Sequence, residues 1–162
     1  MQTDPHPSDA KHLLIVFYSQ SGTTESMTES VVAGTRDSDI ENVEVKVLSA
    51  LEADADDVKW CDALILGTPE NFGYMSGALK YFFDRIYYPC LDETQGLPYG
   101  LFIRAGNDGS GALSAIERIV SGLKWNAVQQ PVICSGEFES ACKERCTELG
   151  LTLAAGLEAG IF

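Results

Sequence analysis

The stretch Leu13-Leu14-Ile15-Val16-Phe17-Tyr18-Ser19-Gln20-Ser21-Gly22-Thr23-Thr24 passes from an unbroken apolar run into a turn rich in hydroxyls. An apolar run over residues 12–18 is the pattern of a strand buried on both faces. Met27 and Val31 then follow helical spacing, which predicts a helix over about residues 23–33. The turn at 19–24 therefore sits at a helix N-terminus, where backbone N–H groups are unpaired and the positive end of the macrodipole lies. A phosphate-sized anion fits such a place. Ser19, Ser21, Thr23 and Thr24 add hydroxyl donors, and Gly22 lets the backbone come close to a ligand. A helix cap alone needs one such hydroxyl. With no Lys or Arg in the turn, the anion would be held by neutral donors. Neither the Gly-Lys-Ser/Thr of a Walker loop nor a dinucleotide Gly-x-Gly-x-x-Gly is present here.

Outward from this stretch, apolar runs alternate with helical stripes five times. Val43, Val45 and Val47 alternate with charged residues, as in a half-exposed edge strand. Leu51, Ala55 and Val58 mark a short second helix. A third run covers residues 63–66 and ends at Gly67. Met75, Leu79, Phe82, Phe83 and Ile86 form a helical stripe that Pro89 is expected to stop. Residues 99–103 form the fourth run, and Leu113, Ile116, Ile119, Val120 and Leu123 the fourth helix. A fifth run spans residues 131–134, and a last helix runs over about residues 139–155. Strands alternating with helices of this kind predict right-handed parallel βαβ units, an α/β three-layer sandwich built on five parallel strands. Residues 1–11, polar and carrying Pro5 and Pro7, read as a flexible tail, and residues 12–162 as a single domain.

Ligands of such sheets bind beyond the carboxyl ends of the strands. The loops after strands one, three and four are therefore the candidates: 19–24, 67–74 and 104–111. In the second, Pro69 stiffens the strand exit, Gly73 permits an unusual backbone angle, and Phe72 and Tyr74 are placed to contact a flat ring. Asn71 offers hydrogen bonds to ring heteroatoms. The third loop, Arg104-Ala105-Gly106-Asn107-Asp108-Gly109-Ser110-Gly111, has three glycines and no aromatic.

The net charge of -13, with 24 acidic residues against 11 basic ones, argues against free nucleic acid as a partner and suits a solvated surface or a basic partner. No apolar run approaches the roughly 20 residues of a membrane helix, and no apolar signal core is seen at the start, so a cytoplasmic location is the default expectation. The odd count of five cysteines does not suggest a secreted disulfide framework. Cys142 and Cys146 share a helical stripe with Leu149 and Leu153, so both thiols are expected in the core. The spacing of His6 and His12 suggests no metal site.

The strand Leu-Leu-Ile-Val-Phe-Tyr followed by Ser-x-Ser-Gly-x-Thr resembles the flavodoxin phosphate motif. The segment Gly-Thr-Pro-x-x-Phe-Gly-x-Met-Ser-Gly at 67–77 resembles the flavodoxin-like NAD(P)H:quinone reductases, including the tryptophan-repressor-binding-protein group, and the related NADPH-dependent FMN reductases. This resemblance implies the strand order 2-1-3-4-5 and non-covalent FMN. It implies phosphate binding by Ser19, Gln20, Ser21, Gly22, Thr23 and Thr24. Pro69, Glu70, Asn71, Phe72, Gly73 and Tyr74 would border the isoalloxazine ring on one side, and Arg104, Ala105, Gly106, Asn107, Asp108 and Gly109 on the other. Glu70 and Asn71 stand where the quinone reductases commonly carry Thr-Arg, and Tyr74 where they carry Asn. The long insertion of the tetrameric members is absent.

Two functions follow from the resemblance. One is an FMN oxidoreductase that takes electrons from NAD(P)H to a quinone, a flavin or another small-molecule electron acceptor. The other is a flavodoxin-type electron carrier serving a protein partner. The lack of an aromatic in the third loop leaves one ring face open and favours the enzyme. A homodimer is compatible with a site finished at an interface. The redox chemistry belongs to the flavin, so no catalytic side chain is assigned.

Overall fold

The computed structural model describes residues 10–20 and 22–162. The tail expected over residues 1–11 falls, up to residue 9, outside the described residues, as does Ser21. The first apolar run is β1 (Lys11–Phe17), starting one residue earlier than its pattern suggested. It is followed by α1 (Gly22–Thr35), β2 (Val43–Ser49), α2 (Ala55–Trp60), β3 (Ala63–Asn71), β4 (Tyr74–Met75) and α3 (Gly77–Cys90). β5 (Pro98–Ala105), α4 (Ser110–Gly122), β6 (Asn126–Ala127), β7 (Val132–Ser135) and α5 (Ser140–Glu158) complete the chain.

Successive strand residues face opposite sides, and the central strands supply two cores. Leu13 and Ile15 of β1, Ala63 and Ile65 of β3 and Phe102 of β5 pack with Met27 and Val31 of α1 and with α5. Leu14 and Val16, Leu64 and Leu66, and Leu101 and Ile103 face α2, α3 and α4, where Leu79, Phe82, Phe83 and Ile116 are buried. This is why residues 13–16 carry no polar side chain: all four are fully buried, and both faces of β1 are interior. Helices on both faces make the expected three layers.

The parallel path runs β2-β1-β3-β5, and its last position is divided between β6, paired to Pro98 and Tyr99, and β7, paired to Phe102 through Ala105. This is the expected order 2-1-3-4-5 with the fifth strand broken. Pro131, which has no N–H for a ladder, lies in the break. β2 is at the edge, as its alternation suggested.

Four local expectations are corrected. The third strand does not end at Gly67: it keeps pairing with β5 through Pro69 and turns back on itself as β4. A Cβ on Gly67 would lie 2.0 Å from the Phe102 ring, so this glycine marks a close approach and not a strand end. Pro89 does not stop α3 but lies in its last turn, where its missing N–H removes one i→i−4 bond and the helix ends one residue later, at Cys90. Leu51 is exposed and precedes α2, because the reciprocal cap between Asp54 and Asp57 starts that helix later. Cys142 is buried but is no free thiol: it forms a disulfide with Cys134, since the end of β7 and the first turn of α5 meet with Cα atoms 5.9 Å apart. Cys146 is a buried free thiol, as expected. Among the described residues no helix is long and apolar enough to cross a membrane, and no His/Cys/Asp/Glu cluster suits a metal.

Candidate functional site

The three loops meet beyond the carboxyl ends of β1, β3 and β5. The Tyr18 N–H donates to Gly67 O at 3.1 Å, and Asn71 Nδ2 donates to Gln20 Oε1 at 2.9 Å, so the first and second loops are tied by main chain and side chain. Thr24 lies in the first turn of α1 and is fully buried. Its Oγ1 has no hydrogen-bond partner among the described residues. A buried hydroxyl left unpaired costs about 1–3 kcal/mol, so an acceptor at the helix N-terminus has something to satisfy. A Cβ added at Gly22 would meet nothing within 4 Å among the described residues, so the space beside this glycine is open. Ser19 and Thr23 are half-buried. Ser21 lies outside the described residues.

The second loop is a two-residue β-hairpin. Phe72 (φ 53°) and Gly73 (φ 70°) both occupy the left-handed region that a type I′ turn requires. Gly does so without strain, whereas Phe72 does so at a cost. Phe72 is also fully exposed, and Tyr74 is exposed too. Below the turn, the Ser76 N–H donates to Thr68 Oγ1 at 3.0 Å, and Ser76 Oγ accepts from the Leu79 N–H at 3.2 Å. Both hydroxyl residues are fully buried, so the base of the hairpin and the start of α3 are one polar unit.

The hairpin is clamped onto α4. Glu70 Oε2 accepts from the Ala112 N–H at 3.1 Å, which satisfies a first-turn donor of that helix. A Cβ on Gly111 would lie 2.0 Å from Gly73 O, so only glycine admits the hairpin so close. In the third loop Gly106, Asn107 and Asp108 are exposed and Gly109 is buried. Asp108 Oδ1 accepts from Ser110 N at 3.0 Å and from Ser110 Oγ at 2.7 Å. The backbone bond from Ser110 is the main reason its carboxyl titrates below the usual range. Arg104 is not grouped with these residues: its guanidinium donates to Cys134 O at 2.9 Å and to Gly136 O, and lies 5.6 Å from the Phe138 ring centroid.

Residues 19–139 match the model of the family described as NADPH-dependent FMN reductase. The chain belongs to this family. Among individual proteins, it is 28% identical over 158 residues to a flavodoxin of Aquifex aeolicus (strain VF5), covering 88% of this chain and 84% of the relative. A flavodoxin structure from the domain Archaea superposes with a TM-score of 0.77 at 21% identity, covering 90% of this chain and 98% of that one. A flavodoxin, WrbA-like protein from Agrobacterium tumefaciens gives 0.73 at 19% identity, covering 90% and 96%. At these identities the structural likenesses speak for the fold.

Within this FMN reductase fold, sequence reasoning singled out the three loops but missed what fixes them. Thr68 and Ser76 were read only as members of the 67–77 motif, and the Ala112 N–H was not read at all. Ser76 carried a signal, since a Ser before Gly-Ala-Leu is a common N-cap. Gly111 was visible only as one glycine of three.

Proposed function

We propose that the three loops hold FMN and that the chain passes electrons from NAD(P)H to a quinone, a flavin or another small acceptor. The carrying observation is the fully buried Thr24 Oγ1 at the start of α1, which has no partner among the described residues, beside open space at Gly22. FMN bound here would supply hydride acceptance and electron delivery. Ser19, Gln20, Ser21, Gly22, Thr23 and Thr24 would receive its phosphate through neutral donors and the helix end. Pro69 through Tyr74 would border the ring on one side and residues 105–109 on the other. The exposed Gly106, Asn107 and Asp108 carry no aromatic cover, which favours access by a nicotinamide or a small acceptor. The carboxylates of Glu70 and Asp108 accept from first-turn N–H groups of α4, and Arg104 serves carbonyls of β7 and of the β7–α5 loop. This chain's charged groups thus shape the loops, and none is assigned a proton-transfer role.

The phosphate assignment is tested at Thr24. Thr24→Val keeps the shape and removes the donor; at about 0.5–1.5 kcal/mol per neutral hydrogen bond, FMN affinity should fall roughly two- to twelvefold. Riboflavin, which lacks the phosphate, should bind both proteins equally. Equal loss for both ligands would place the phosphate elsewhere.

The carrier reading is favoured by the charge of -13 and the likeness to a flavodoxin. Mixing flavin-loaded protein with NADPH or NADH without oxygen separates the two. Bleaching on a catalytic timescale supports the reductase, and an unreactive flavin supports the carrier.

A further inference from the structure

Cys134 lies in β7, one residue before its end, and Cys142 lies in the first turn of α5. Their disulfide spans eight residues of chain and forms part of the wall of a solvent-open pocket of about 250 Å³ that Arg145, Glu137 and Glu139 also line. All five cysteines are buried, Cys134 at 7% and Cys142 at 6% exposure beside Cys61 at 7%; what sets the pair apart is its bond and its place in the pocket wall, which Cys61, Cys90 and Cys146 do not share. Burial pushes the thiol of Cys61 up to about 12 and those of Cys90 and Cys146 up to about 11. We propose that Cys134–Cys142 is a second, two-electron redox site of this protein, reduced and re-formed by thiol–disulfide exchange with a dithiol that enters this pocket.

The chemistry has a direction. The better leaving sulfur is the one whose thiolate is more stable. Cys142 lies in the first turn of a 19-residue helix, at the positive end of its macrodipole, a setting that stabilises a thiolate. Arg145, one turn further on, brings a positive charge to the same pocket beside the carboxylates of Glu137 and Glu139, and its Nη1 donates to Ile133 O at 3.1 Å, so the helix end is what sets the direction. The reductant's thiolate therefore attacks Cys134 Sγ, the protein's S–S bond breaks, and its electron pair leaves on Cys142 Sγ. The reductant's second thiolate then attacks its own sulfur in the mixed disulfide and releases Cys134 as a thiolate. That thiolate takes up a proton, and the reductant departs as a disulfide. Two electrons pass to the protein, and a disulfide of the same class reverses the exchange.

The pair is coupled to the third loop through Arg104. That side chain, at the head of the loop, is held by Cys134 O and Gly136 O and covers Phe138, all at or just beyond the start of the segment the disulfide closes. Ala105 pairs with Ser135 in the same ladder. Opening the disulfide releases a constraint on this anchor, so residues 104–110 become more mobile in the reduced protein.

The full chain, without added flavin, is equilibrated in a dithiothreitol series, quenched with N-ethylmaleimide under native conditions, and mapped by peptide mass spectrometry. Cys134 and Cys142 should become labelled together as one two-electron couple, while Cys61, Cys90 and Cys146 stay unlabelled until denaturant is added. Labelling of the pair without reductant, or only after unfolding, would overturn the proposal. Amide exchange over residues 104–110 should be faster in the reduced protein, and the Cys134→Ser/Cys142→Ser variant should match the reduced form with or without dithiothreitol. Equal exchange in both states would overturn the coupling. Should that variant not fold, Cys146→Ala must keep the full reductant response, and its loss would assign the chemistry to Cys146. None of these readouts depends on flavin binding, so they stand apart from the FMN reading.

Discussion

Phe72 combines two costs that a folded chain usually avoids. It is a non-glycine residue at φ 53° and a large aromatic left fully in solvent. The left-handed conformation costs roughly 1–2 kcal/mol for a residue with a Cβ, and exposure returns nothing from burial. Phe72→Gly should therefore raise the stability of the flavin-free protein, by up to about 1 kcal/mol once glycine's extra unfolded-state freedom is counted. In the proposed function the ring of Phe72 repays this cost by covering the flavin, so the same variant should bind FMN more weakly. Denaturant melts and flavin titrations on one preparation check both signs. A more stable protein with unchanged FMN affinity would remove Phe72 from the ring contacts. Sequence alone named Phe72 as a ring contact from its type and place, but not its backbone strain, because φ at a hairpin tip is set by the two strands it joins.

At the scale of elements, the β3–β4 hairpin is held where it is by α4. Gly111→Ala would push a methyl group into Gly73 O and lift the hairpin from the helix. Because the displaced hairpin carries six of the proposed flavin contacts, FMN affinity should drop at least tenfold. Ala is otherwise favourable in a helix by about 1 kcal/mol over Gly, so the loss should appear in binding before stability, in parallel titrations and melts. A second element-level prediction concerns α2. Asp54 accepts from the Asp57 N–H, the main cause of its lowered pKa, against an ordinary value of 3.8. A group with a depressed folded pKa contributes stability above its unfolded pKa and loses it as pH falls through the folded one. Asn accepts the same bond without titrating, so Asp54→Asn should lose less melting temperature than the parent between pH 5 and pH 3, and parallel slopes would refute the role. These elements were partly legible. Buried strands declared themselves because both faces of β1 over residues 13–16 and of β3 over residues 63–66 are interior and so carry only apolar residues there. The hairpin did not, because Gly67 and Pro69 are breakers by local preference and are overridden here by packing under Phe102 and pairing with β5. The disulfide was hidden for the same reason: Cys134 and Cys142 are joined by where β7 and α5 end.

For the whole molecule, the relevant quantity is the net charge of -13. Long-range attraction and repulsion alter encounter rates, and salt screens them, with a Debye length of about 30 Å at 0.01 M and about 10 Å at 0.1 M. NADPH is a polyanion, so its approach to this chain is opposed at low salt. The loops offer no local remedy. Residues 19–24 contain no Lys or Arg, Glu70 and Asp108 are acidic, and the guanidinium of Arg104 is engaged by the β7–α5 loop. If the protein is the proposed nicotinamide-dependent reductase, the second-order rate of anaerobic flavin bleaching by NADPH should increase between about 0.01 and about 0.1 M ionic strength. A carrier serving a basic protein would show the opposite sign, with transfer to that partner slowing as salt is added. The same flavin-loaded sample, stopped-flow against NADPH and against a cationic redox protein, gives both slopes. A bleaching rate that falls with salt would require positive charge at the ring that the described loops do not supply, and would count against NADPH as the reductant.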